Sequence, residues 1–62
     1  MPDYQITITE GATHRCTVEF SRPDDHAAEA FLRTDATEWD DQHELVLTTA
    51  DGTVVAKMQG VG

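Results

Sequence analysis

Three histidines, one cysteine and twelve carboxylates supply the reactive chemistry available to this 62-residue chain. His14, His43, Asp40 and Asp41 raise the question of a two-histidine, carboxylate metal site, because imidazole nitrogens and carboxylate oxygens are what zinc-like ions take. If the strand holding His14 runs up, the next helix down and the strand holding His43 up, both histidines begin their strands at one end, with the two aspartates nearby. Their spacing matches no ligand motif and strand-end histidines are ordinarily exposed, so no metal is assigned. His26 lies near a helix N-terminus, where the dipole disfavours imidazolium, and reads as surface. Cys16 falls on the inward face of a strand and behaves there as a small core residue, not as an activated thiol. Ser21 reads as a helix cap rather than a nucleophile. Exposed carboxylate runs lack the burial that tunes a pKa for acid–base work. Gly11 and Gly52 are turn residues and no glycine pattern cradles phosphate. A non-enzymatic protein without a cofactor is expected.

One stretch stands apart. Asp35 to Glu44, DATEWDDQHE, holds five carboxylates in ten residues, no Lys or Arg, and the only tryptophan, Trp39. Residues 24–44 carry Asp24, Asp25, Glu29, Asp35, Glu38, Asp40, Asp41 and Glu44 against Arg33 alone, a net −7 out of −8 for the chain. Such a balance excludes phosphate-neutralising nucleic-acid binding, which needs clustered Lys and Arg, and disfavours an anionic membrane surface. Two readings of the charge compete. In one, the helix and the loop after it are simply the most exposed parts, and acids gather there for solubility. In the other, they form an acidic pole that steers a basic partner. Trp39 divides the same way. It either plugs the open end of the core beside Phe31 and Leu45, or serves as a binding anchor ringed by polar residues. The candidate contact surface is Asp35, Glu38, Trp39, Asp40, Asp41 and Glu44, with Asp25 and Glu29 on the helix.

The elements that must position these residues follow from periodicity. Tyr4, Ile6 and Ile8 alternate with Gln5, Thr7 and Thr9, and Cys16, Val18 and Phe20 with Arg15, Thr17 and Glu19, the period of half-buried strands. Gly11 offers the intervening turn a positive φ. A register in which Glu10 meets His14 sets Ile8 opposite Cys16, Ile6 opposite Val18 and Tyr4 opposite Phe20. Ser21 with Asp24 is a capping pattern and Pro23 suits a first turn, so a helix is expected from there to about Arg33–Thr34, its apolar stripe being Ala27, Ala28, Ala30, Phe31 and Leu32. Glu44–Gln59 reads as a second hairpin around Asp51-Gly52, pairing Thr49 with Val54, Leu47 with Ala56 and Leu45 with Met58. The expected fold is α+β, one domain over residues 1–62. Its two layers are a four-stranded antiparallel sheet and one helix across one face, in the order β-hairpin, helix, β-hairpin. The other sheet face, Gln5, Thr7, Thr9, Thr17, Glu19, Val46, Thr48, Val55 and Lys57, has no aromatic on which an RNA base could stack.

A chain this short buries only ~60% of its unfolded surface, and a single cysteine rules out an internal disulfide. With no signal segment or membrane-spanning run, a soluble, cytoplasmic protein is expected. Three Arg to one Lys, nine Thr and seven Asp hint at a GC-rich or salt-adapted source. In size, element order and acidic pole the chain resembles phage-type inhibitors, anti-CRISPR proteins among them, a likeness of size and charge that covers no motif. The resemblance implies a small interaction protein that occupies the basic, nucleic-acid-binding surface of a partner. The alternative is a structural or housekeeping domain from a salt-adapted organism, a homodimer formed face to face or through a free edge strand, whose acids are solvent adaptation.

Overall fold

The computed structural model describes residues 1–62. Strands β1 (Asp3–Glu10) and β2 (Thr13–Ser21) form the first hairpin, α1 spans Asp25–Ala36, and β3 (His43–Thr49) and β4 (Val54–Gln59) form the second. The sheet order is β2-β1-β3-β4, so the hairpins join along an antiparallel β1–β3 seam. This is the expected small α+β fold, with one helix across a four-stranded antiparallel sheet.

Alternation decides the core. Ile8 faces Cys16 on one side and Leu45 on the other, Ile6 faces Val18 and Leu47, and Tyr4 faces Phe20 and Thr49. Leu45 then meets Met58 and Leu47 meets Ala56, as expected. Ile6, Ile8, Leu45 and Leu47 are fully enclosed beneath Ala28, Leu32 and Ala36 of the helix. The small alanines let the helix approach the sheet closely, and full burial of each of the four large side chains contributes roughly 1.5–3 kcal/mol.

Several details differ from expectation, most of them at an element end. Glu10 pairs with Thr13 rather than His14, because the hairpin closes on the two residues Gly11 and Ala12 with a positive φ confined to Gly11, as in a type II′ turn. A bulge at Arg15 absorbs the extra residue and restores the Ile8–Cys16 match. The second hairpin has a three-residue loop, Ala50–Gly52: the Thr49 N–H donates to Thr53 O at 2.9 Å and Gly52 takes φ 91°. Val54 therefore meets Thr48, not Thr49, and Asp-Gly serves a bulged loop instead of a two-residue turn. Asp51 accepts from the Thr49 hydroxyl and the Thr53 N–H, which hold its carboxyl below its ordinary pKa. Finally, Asp24 caps the helix, accepting from the Ala27 N–H at 2.8 Å. Ser21 cannot, since β2 runs through it and its hydroxyl donates to Asp3 at 2.6 Å. The helix continues to Ala36 because that residue, on the core face, is fully buried, whereas Ala30 turns outward.

The helix start is tied to the sheet by an aromatic stack. Tyr4, Phe20 and Phe31 lie with centroids 5.8 and 4.2 Å apart, and Arg22 sits 4.6 Å over Phe31. The Tyr4 hydroxyl donates to Asp25 Oδ1 at 2.7 Å, and that bond, with burial, pushes its pKa up to about 12. The unfolded chain releases this proton near 10, so the contribution is present below that pH and lost as pH rises from about 10 through about 12. Because Tyr4 is the only tyrosine, tyrosinate absorbance reports it alone. The expected titration midpoint is near 12 in the folded chain, lower in Asp25→Asn and near 10 in denaturant.

Candidate functional site

The helix ends without a glycine. Thr37, in the right-handed helical region, sends its N–H to Thr34 O and Asp35 O and its hydroxyl to Thr34 O at 2.7 Å. Two further turns follow, Glu38 N–H to Asp35 O and Trp39 N–H to Ala36 O. Asp40 then shapes the entry to β3: its carboxylate accepts from the Gln42 N–H at 3.0 Å and contacts His43 Nδ1 at 2.8 Å, while its carbonyl accepts from the His43 N–H. The bond from His43 and that from Gln42 lower the Asp40 pKa. The His43 side chain is 11% exposed against 59% for Asp40, so the imidazole is packed and the carboxylate is at the surface.

Trp39 is neither fully sealed in the core nor fully exposed. Half-buried, it packs against the core, with His43 4.9 Å away at 50°. Phe31 is engaged elsewhere, against Phe20. In the chain Trp39 is flanked by exposed Glu38, Asp40 and Asp41, and Glu44 is exposed at the second position of β3.

The expected contact residues are not all brought together. Glu38, Trp39, Asp40 and Asp41 follow the C-terminal end of α1, whereas Glu44, opposite Thr9 and Gln59, alternates with Leu45 onto the sheet face away from the helix. Asp25 and Glu29 lie toward the other end, Asp25 about 15 Å from Asp35 at the helical rise per residue. Asp25 is occupied by Tyr4, and Glu29 is half-buried beside Leu32, Lys57 and Met58. Asp35 is half-buried, and its Oδ2 is sealed from solvent without a hydrogen-bond partner. Burial first, and then the charge of Glu38, raise its pKa.

Electrostatically this end of the molecule works against its own helix. A helix C-terminus carries about half a negative charge and is stabilised by cations. Only Arg33 provides one in the last turn, while Glu38, Asp40 and Asp41 follow within five residues of Ala36. The whole molecule has two ion pairs, Arg15–Glu10 at 3.8 Å and His43–Asp40. Glu38, Asp41 and Glu44 have no cationic partner.

One feature of the site was missed in the sequence. Gly60 and Gly62 pass as chain-end glycines, yet Gly60–Gly62 brace the acidic loop. The Gly60 N–H donates to His43 O, Val61 to Ala36 O and Gly62 to Trp39 O, at 2.9–3.0 Å. A Cβ on Gly60 would lie 2.2 Å from Asp40 O and 2.3 Å from Trp39 O. The available signal was a glycine directly after a strand, which marks close backbone approach.

His14 and His43 do begin their strands at one end, flanking the end of β1 opposite Thr9 and Glu10. His14 Nε2 contacts the Thr17 hydroxyl at 2.7 Å, and no three His, Cys, Asp or Glu side chains converge as metal ligands. Cys16 is half-buried, and His26 is exposed. No helix is long and apolar enough to cross a membrane. Compared with protein-family models, curated proteins and solved structures, the chain matches none.

Two outcomes follow from this geometry. Gly60→Ala is expected to destabilise the fold by about 1–3 kcal/mol and to shift Trp39 emission, checked by denaturant titration followed by fluorescence. For Asp35 the raised pKa penalises the folded state above the ordinary carboxylate range, and the penalty vanishes as pH falls below it. Asp35→Asn should therefore raise the melting temperature at neutral pH, with the gain disappearing near about pH 3.

Proposed function

We propose that the chain is a small, non-enzymatic interaction protein whose contact surface is Trp39 with Glu38, Asp40, Asp41 and Glu44, directed at a basic protein partner. In its specific form it is an inhibitor of the phage type, anti-CRISPR-like, occupying a nucleic-acid-binding surface by presenting carboxylates where phosphates would lie. The observation that carries this reading is the placement of unpaired acids around a half-exposed indole at the negative end of a helix. Helix stability alone would put cations there. A tryptophan ringed by polar groups suits a hot spot, and the surrounding charge suits fast, salt-sensitive encounter.

The second reading is a homodimeric structural or housekeeping domain of a salt-adapted organism, with acids as solvent adaptation. It is favoured by the spread of carboxylates to both helix ends, Asp24 and Asp25 at one and Glu38 to Glu44 at the other.

Salt separates the two. Far-UV circular dichroism and Trp39 emission are followed from low salt to molar KCl. A chain already folded at low salt is expected from the first reading; folding only as KCl rises supports the second. The contact surface is tested with Glu38→Gln, Asp41→Asn and Glu44→Gln combined, which touch no internal bond that holds the loop backbone. Proteins retained by the immobilised wild-type chain and released by heparin should bind this variant at least about tenfold more weakly at low salt. Equal retention by both would overturn the assigned surface.

A further inference from the structure

We infer that two copies of the chain associate through β2, pairing it antiparallel with itself about a two-fold axis at Val18 and extending the sheet from four strands to eight. This stands on β2 alone and does not depend on the reading of the acidic loop.

The helix has its main contacts with β3 and β4 and reaches β2 through Phe31, which stacks on Phe20. There Cys16, Val18 and Phe20, which share a face with the sealed Ile8, Ile6 and Tyr4, are only half-buried. The core is unfinished on that side, and a domain of this size has little other apolar surface to spare.

Charge selects a second copy as the occupant. Thr13–Arg22 carries Arg15 and Arg22 against Glu19, two bases less one acid, a local +1 in a chain of −8. Two such chains repel one another over the acidic helix and loop, and the two free sheet edges, β2 and the acid-free β4, are where they can meet without opposing those regions.

The pattern fixes the register. With Val18 on the axis, Val18 faces itself and Cys16 faces Phe20 of the second copy, so every residue on the helix-covered face meets an apolar one. Thr17 faces Glu19 on the other face. An axis at Thr17 would instead set Phe20 against His14, which the bulge has turned toward the Thr17 face. The bulge at Arg15 bounds the pairable stretch, leaving Cys16–Phe20 straight. The β4 edge offers no equivalent, because Val54–Gln59 holds Lys57 and no acid for it to face across a two-fold axis.

The register predicts opposite effects from one exposed position. Thr17→Lys sets an ammonium opposite Glu19 of the second copy, twice by symmetry, and should tighten the dimer about tenfold; Thr17→Glu should weaken it by a similar factor. Sedimentation velocity and native mass spectrometry of the full chain should give twice 6.8 kDa for the wild type. Val18→Cys with Cys16→Ser should yield a disulfide-linked dimer on mild oxidation. Circular dichroism confirms that each variant is folded. A wild type that stays monomeric at millimolar concentration overturns the proposal, and so does a dimer whose Kd moves with neither Thr17 substitution.

Discussion

The structure depends on the burial of β1 between β2 and β3. Ile6 and Ile8 are closed on both sides by neighbouring strands and from above by the helix, and among the large side chains only Leu45 and Leu47 share that degree of enclosure. Four sealed side chains are a small core. Domains are stable by only about 5–15 kcal/mol, and each fully buried aliphatic side chain supplies roughly 1.5–3. Around these and the buried Tyr4, Ala28, Leu32 and Ala36 lie three margins: the Phe20–Phe31 stack at one end, Trp39 and His43 at the other, and the half-covered β2 row along one edge. Those three margins are where the molecule has surface to offer.

The interior was legible in the sequence because alternation is a strong constraint when one face must be buried. Slipping β1 by one residue would send Tyr4, Ile6 and Ile8 to the solvent face, so their partners in β2 could be named from the pattern. The same holds for Leu45 with Met58 and Leu47 with Ala56. Illegibility begins where backbone geometry, and not burial, decides. Gly11 and Gly52 each solve their turn in a way that leaves one residue over, and bulges take it up beyond the last buried pair. Ser21 and Asp24 are both good caps, and the choice fell to Asp24 because β2 still needed Ser21. The β1–β3 seam has no local signal, being a contact between hairpins.

The candidate site was legible as a composition and not as an arrangement. A run of acids around Trp39 is visible in the sequence, but the duties of individual carboxylates are not. Asp25 holds the Tyr4 hydroxyl, Asp40 orders the turn into β3, and Asp35 is drawn into the helix–sheet layer. Asp25 and Asp40 have work inside the fold, and the ionised Asp35 is a cost to it. Glu38, Asp41 and Glu44 have no work that a neutral isostere could not do, and Glu38 and Asp41 follow directly on a helix end that makes negative charge unfavourable.

That unfavourable placement has a structural counterpart. A loop of like charges at a helix end should fray, since self-repulsion favours any expanded conformation. Here the loop is pinned at its base by Gly60, Val61 and Gly62, whose N–H groups reach His43, Ala36 and Trp39. Only a residue without a Cβ can come so close to the Trp39 and Asp40 carbonyls, so the glycine that follows β4 fixes the shape of a surface built from the end of α1. Bracing of this kind removes the ordering entropy that a flexible acidic loop would lose on contact with a partner. It also carries the cost of charge repulsion before any partner arrives. A solvent-facing loop whose only task is solubility needs charge but gains nothing from a fixed geometry. The combination of fixed backbone, partly seated indole and uncompensated carboxylates is what a preorganised binding surface requires.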